Sequence, residues 1–197
     1  VAQIDSARKR ASQFSLALCV LAEKGAFTML AICTDIEFAT VSDAVEISEL
    51  SRKYIEYDLR WVYTPSRIRY LMRNTSKNVV VARNERDLVG FGIMSYREDS
   101  ANLDLLAVKK LYRRRGAGTQ VVQWLEKVAR TAGIMNIFVQ VRKTNVSAIR
   151  FYETLGFHII EEAAGYYQGR ETCVIMCKGI RQMVGSVQGV NAKRYGQ

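Results

Sequence analysis

Arg113, Arg114 and Arg115 run directly into Gly116-Ala117-Gly118, and this is the stretch where residue types and spacing could do chemistry. An apolar run, Leu103 to Val108, precedes it and reads as a strand. Behind it Val121, Leu125, Val128 and Ala132 fall three or four apart, which predicts one face of an amphipathic helix. A strand that turns through glycines into a helix start can hold an anion. The first helical N–H groups have no intrahelical partner, and the helix dipole places partial positive charge there. The spacing predicts a phosphate-bearing ligand. It excludes the P-loop string G-x-x-x-x-G-K-[ST], which is missing from the chain. It also departs from the dinucleotide fingerprint, because Val121 stands where that pattern needs a small residue. What fits is [QR]-x-x-G-x-[GA]. From these residues alone a solvated basic turn on the surface is an equal alternative.

The rest of the chain supplies elements to position this turn. A first strand is expected over Ile36 to Val41, then a helix over Asp43 to Tyr57 capped by Ser42. Pro65 starts a second helix reaching Arg73. Val79 to Ala82 and Leu88 to Tyr96 form a hairpin around Asn84-Glu85-Arg86-Asp87. Later strands are expected at Asn136 to Arg142, Phe157 to Glu162 and Glu171 to Cys177, with a loop over Gly165 to Arg170. The order predicts an α/β domain: a mixed sheet with helices on both faces.

The 197 residues suffice for one domain with a full core. The net charge of +10 is localised: residues 107–150 hold ten Lys/Arg against one acid, Glu126. Such a rim suits phosphates and would also attract nucleic acid, but no nucleic-acid-reading signature accompanies it. No apolar run is long enough for a membrane span. Phe14 to Leu21, with Arg8, Lys9 and Arg10 before it, could pass for a signal core. Without a cleavage site after it, it reads as an amphipathic helix. Cys19, Cys33, Cys173 and Cys177 form no C-x-x-C pair, so buried thiols in a reducing cytoplasm are expected, and no metal site. Residues 1–35 read as an extension and 179–197 as a flexible basic tail.

The phosphate turn resembles the pyrophosphate loop of the GNAT family of acetyl-CoA-dependent N-acetyltransferases. The resemblance extends to Asn145 through Phe157, which looks like that family's N-x-x-A-[IL]-x-x-Y-x-x-x-G-F element. It covers residues 36–178 and implies the acyl-CoA N-acyltransferase fold, with a mostly antiparallel mixed sheet. It further implies that Leu106, Ala107 and Val108 pair with the pantetheine arm, that Arg113, Arg114, Arg115, Gly116, Ala117, Gly118 and Thr119 hold the pyrophosphate, and that Asn145 meets the arm. Tyr152 stands at the family's thiolate-protonating tyrosine; its competing reading is a core aromatic. Val139-Gln140-Val141-Arg142 and Tyr166-Tyr167 resemble the bacterial ribosomal-protein alanine N-acetyltransferases. That subfamily has a glutamate base where this chain has Gln140, and an amide takes no proton. Asp104 is the substitute base, placed by alternation on one face with Asn102 and Leu106. A plain surface aspartate is the equal alternative; Glu98 and Asp99 are weaker. The lone His158 is read as structural. Gln140, Tyr166 and Tyr167 are expected to meet the acceptor, a peptide N-terminal amine. A small amine, a non-catalytic acyl-CoA-binding module and a homodimer stay open.

Overall fold

The computed structural model describes residues 34–167, 169 and 171–180, with only the backbone of Tyr167. The expected helix at Phe14 to Leu21, Cys19, Cys33 and most of the basic tail lie outside the described residues. Strands β1 (Asp35–Phe38), β2 (Lys77–Asn84), β3 (Asp87–Tyr96), β4 (Ser100–Val108), β5 (Asn136–Arg142), β6 (His158–Tyr167) and β7 (Glu171–Gly179) form one sheet in the order β1-β2-β3-β4-β5-β7-β6. The helices are α1 (Ala44–Tyr54), α2 (Pro65–Arg73), α3 (Ala117–Thr131) and α4 (Val146–Thr154). Every strand pair is antiparallel except β4 with β5. Those two are joined by α3, since parallel neighbours need a crossover. This is the mixed, mostly antiparallel sheet that the sequence predicts.

Helices cover both faces. On one, Val121, Leu125 and Val128 of α3 and Tyr152 of α4 pack with Val80, Leu103, Ile137, Val139 and Val141. On the other, Ile47, Leu50, Ile68 and Leu71 of α1 and α2 pack with Val79, Val81, Phe91, Ile93, Leu105 and Ala107. The alternation of Val79, Val80 and Val81 between the two cores is the period-2 strand pattern. Close approach of α3 depends on Gly92 of β3. A Cβ there would sit 2.6 Å from Val121 Cγ1 and 3.0 Å from Leu125 Cδ1. Gly92→Ala should therefore destabilise the fold by about 1–3 kcal/mol through overpacking, read from the urea midpoint. An unchanged midpoint would mean that α3 has slack.

Two local expectations are corrected. The first helix is not capped by Ser42. Val41–Asp43 is a 3-10 turn opened by Thr40, whose N–H donates to Asp43 Oδ2 at 2.7 Å. Burial raises the Asp43 pKa, but hydrogen bonds from Arg83 and Thr40 outweigh it and hold the carboxyl below its ordinary value. The first half of the expected loop over Gly165 to Arg170 is strand. β6 runs on to Tyr167, because Ala163 still faces Cys173 and Tyr167 faces Glu171 across a bulge. Helix α2 starts at Pro65 as expected, with Thr64 Oγ1 accepting from the Arg67 N–H at 3.3 Å. Cys173 and Cys177 are buried and form no disulfide. Among the described residues no helix is long and apolar enough to cross a membrane.

Candidate active site

Strands β4 and β5 pair only from Ser100↔Asn136 to Leu103↔Val139. Both continue further, β4 to Val108 and β5 to Arg142. Their C-terminal ends therefore part, and a cleft opens between two neighbouring parallel strands. Asp104 and Gln140 are the first residues on its two arms. The opening coincides with a bulge in β4. Ile93 faces Leu105 while Met94 faces Leu103, so Asp104 is the extra residue. A bulge bends its strand and turns the following side chains over. Ala101 and Leu103 accordingly lie in the α3 core, whereas Leu105 and Ala107 lie under α1 and α2. This overturns the expectation that Asn102, Asp104 and Leu106 share a face. Asn102 and Asp104 do, hydrogen-bonded at 2.7 Å, but Leu106 packs on the α3 side with Val108.

The backbone of β4 presents hydrogen-bonding groups to this cleft. Lys109 N–H donates to Val89 O at 2.8 Å, so the neighbouring Val108, and Leu106 by alternation, point their N–H and C=O away from β3. Ala107 turns its backbone groups toward β3, unlike the expectation that all three would meet a ligand. Beyond Val108 the chain enters the arginine turn. Arg114 (φ 63) and Gly116 (φ 90) are both left-handed, and Gly116 is the N-cap of α3. Among the described residues, the amides from Arg114 to Thr119 meet no acceptor. Unmatched donors at a helix start form an anion cradle. Arg114 and Arg115 are exposed around it. Arg113 turns back, donating from Nε to Val108 O at 2.9 Å and stacking 4.6 Å from the Tyr54 ring. It shapes the turn.

The opposite arm carries α4. Asn145 caps this helix, its Oδ1 accepting from Ala148 N–H at 3.1 Å. Two turns on, Tyr152 is 6% exposed, with its ring edge-on to Phe151 at 5.1 Å and Phe157 at 5.5 Å. Among the described residues none hydrogen-bonds its hydroxyl, and no fully buried side-chain nitrogen or oxygen lacks a partner, so the tip of the ring stays open. Burial pushes the phenol well above its ordinary pKa, keeping it protonated.

On the other face of the sheet, Asp104 accepts from Lys77 Nζ at 2.8 Å, Ser95 Oγ at 2.8 Å and Asn102 Nδ2 at 2.7 Å. Gln140 shares that face, because Ile137, Val139 and Val141 all turn into the α3 core. Tyr63, between α1 and α2, looks onto Asp104. Burial, and then the negative charges of Asp104 and Glu56, push its phenol up to about 12. Tyr166 is raised by burial and then by Cys173 and Asp104. Tyr167 ends strand β6. Glu98 and Asp99 lie at the N-terminal end of β4, away from the cleft. His158 is exposed on edge strand β6 opposite Cys177.

The architecture is thus a split parallel pair with an anion cradle on one arm, a phenol below and a carboxylate above. The family model described as Acetyltransferase (GNAT) family matches residues 44–157. The chain belongs to the GNAT acetyltransferase family. This GNAT chain is 32% identical over 102 residues to the ribosomal protein bS18 alanine N-acetyltransferase of Salmonella typhimurium, covering 50% of this chain and 68% of that protein. Its Escherichia coli counterpart is 33% identical over 92 residues, 45% of this chain and 62% of that protein. The crystal structure of Ard1 from Thermoplasma volcanium superposes with a TM-score of 0.68 at 25% identity, covering 77% of this chain and all (100%) of that one.

The sequence reading misses Glu56 and Tyr63 of the GNAT cleft, and gives Arg142 no role beyond its place in a resembled motif. Glu56 looks like part of the first helix, yet α1 ends at Tyr54 and the Glu56 carboxylate turns back to bind the following loop. Tyr63 precedes Thr64-Pro65 as an ordinary loop residue. Arg142 passes for one more member of the basic rim.

Proposed function

We propose that this GNAT protein transfers acetyl from acetyl-CoA to the N-terminal amine of a peptide or protein, by direct attack in a ternary complex. The observation that carries this reading is the parted β4–β5 pair, with the candidate cofactor groups on one face of the sheet and the candidate acceptor groups on the other. The residues present fit a diphosphate: donors without acceptors from Arg114 to Thr119, and Gly118 placed so that a Cβ would already touch Phe151 at 3.4 Å. The N–H and C=O of Leu106 and the N–H of Val108 fit the amides of a pantetheine arm, the Val108 C=O being taken by Arg113, and Asn145 borders the same cleft. Bound there, acetyl-CoA supplies the acetyl thioester. Tyr152 donates its proton to the departing sulfur. Asp104, directly or through a water, takes the proton that the attacking nitrogen loses. Gln140, Tyr63 and Tyr166 orient the acceptor; the side chain of Tyr167 lies outside the described residues. The named action of the Salmonella relative on a ribosomal-protein alanine supports a chain N-terminus over a small amine.

Asp104 already accepts hydrogen bonds from Lys77, Ser95 and Asn102. An α-amino group has a pKa near 8, so about a tenth of it is unprotonated at pH 7, and a base can gain only about tenfold. Asp104→Asn should therefore lower kcat/KM about tenfold at pH 7, with the defect shrinking as pH rises past 8. A defect that persists unchanged to pH 9 would assign Asp104 to structure. A lysine acceptor, with a pKa near 10.4, would show a loss of about 10³-fold instead.

Free-thiol release on adding acetyl-CoA with peptides bearing free or blocked N-termini tests the activity. Turnover with the free amine alone is expected. Turnover only with polyamines or aminoglycosides would replace the acceptor class, and none at all would favour an acyl-CoA-binding module. The same reading places the protein in the cytoplasm, in keeping with its buried thiols Cys173 and Cys177. It also places a homodimer contact at exposed Ile159 and Ile160 on edge strand β6, which a single monomeric species in sedimentation would refute.

A further inference from the structure

Arg142 ends β5 two residues after Gln140 and on the same face. Its side chain is 7% exposed. Its guanidinium donates from Nη1 to Glu171 Oε1 at 2.7 Å, and from Nη2 to Ile55 O at 3.0 Å and Tyr57 O at 2.8 Å. The same group lies 4.1 Å from the centre of the Tyr57 ring. Ile55 and Tyr57 begin the segment between α1 and α2 that ends in Tyr63. Glu171 begins β7 immediately after the hairpin turn, and Tyr166 stands on the strand before that turn. One buried cation therefore joins the two walls of the acceptor side to the strand that carries Gln140.

The contact set needs a guanidinium. Its planar fork serves a carboxylate, two carbonyls and a ring at once, whereas an ammonium is a point charge that cannot span them. The loop itself is closed by a second buried group. Glu56 accepts from Ser51 Oγ at 3.0 Å, Val62 N–H at 2.6 Å and Tyr63 N–H at 3.2 Å. Arg142 holds the start of this loop and Glu56 fastens its end, beside Asp104.

We propose that Arg142 is a positioning residue that sets the separation of the α1–α2 loop from the β6–β7 hairpin, and so determines the fit of the residues behind the reacting amine. The inference rests on the reading of this side as the acceptor site. A peptide must pass between the two walls; a small amine that reaches only Asp104 and Gln140 need not.

The test uses the full chain with Arg142→Lys, Arg142→Gln and, because a buried arginine can be essential for folding, the milder Glu171→Gln and Tyr57→Leu. Three quantities are read: KM for a peptide and for a small primary amine, Kd for acetyl-CoA, and hydrogen exchange at the Val62 and Tyr63 amides without substrate. Arg142→Gln should raise the peptide KM about 10- to 10²-fold and speed exchange at both amides, with acetyl-CoA affinity and small-amine KM unchanged. Arg142→Lys should recover only part of this, and Glu171→Gln and Tyr57→Leu should move the same quantities less. Equal losses for peptide, small amine and acetyl-CoA would overturn the proposal, as would unchanged exchange in all four variants. If the unmodified protein acetylates no peptide, the acceptor reading fails separately, and exchange at Val62 and Tyr63 still decides whether Arg142 holds the walls.

Discussion

Tyr152→Phe should lower kcat by about 10²- to 10³-fold and leave both substrate KM values nearly unchanged. The substitution removes one oxygen. The ring keeps its edge contacts with Phe151 and Phe157, so the core should hold. The hydroxyl has no described hydrogen-bond partner, so its loss leaves no buried group unmatched. A purely structural tyrosine would make this one of the mildest changes in the protein. A proton donor to the leaving sulfur would make it one of the worst. Burial holds the phenol protonated well above its ordinary range, so a donor is present across the working pH. Steady-state kinetics with a thermal-melting control separates the outcomes, and a kcat within threefold of the parent would remove Tyr152 from the chemistry.

Gly118→Val should weaken acetyl-CoA binding about a hundredfold, while Gly118→Ala should weaken it only slightly. A Cβ at Gly118 makes ordinary contacts, 3.4 Å to Phe151 Cζ and 3.6 Å to Val108 Cγ2, so a methyl fits. The two further carbons of valine must push into those neighbours or cover the amides of the cradle. Ligand at 100 times Kd stabilises the fold by about 2.7 kcal/mol, and a hundredfold weaker Kd leaves about 0.4 kcal/mol. The acetyl-CoA-dependent rise in Tm should therefore nearly vanish in the valine variant. A full rise in that variant would put the diphosphate elsewhere.

Some of this molecule is legible in its residues because the signals are local. Pro65 can open a helix and can hardly continue one, and α2 begins there. Arg113 to Gly118 forms the turn because Gly116 takes a left-handed backbone at little cost. The alternation in Asn136 to Arg142 marks a strand whose ends are those observed. The spacing of Val121, Leu125 and Val128 likewise names the face that α3 buries.

What the residues do not display is settled by pairing between distant segments. Nothing in Leu103-Asp104-Leu105 announces a bulge. It exists because β3 takes one register with the strand before Asp104 and another after it, and it moves Leu106 to the opposite face from Asp104. The length of β6 is set in the same way, by β7 opposite it, so Tyr166 becomes a strand residue. Arg142 is the sharpest case. In the chain it is one of many basic residues, and only folding brings Ile55, Tyr57 and Glu171 around it. The sequence by itself determined where α2 begins, the face that α3 buries, the glycine turn before α3 and the family, because these rest on backbone preferences and short spacings. The tertiary structure alone decided the parted strands, the faces of the cleft and the tether between its walls, because register and burial belong to pairs of segments and are written in neither one.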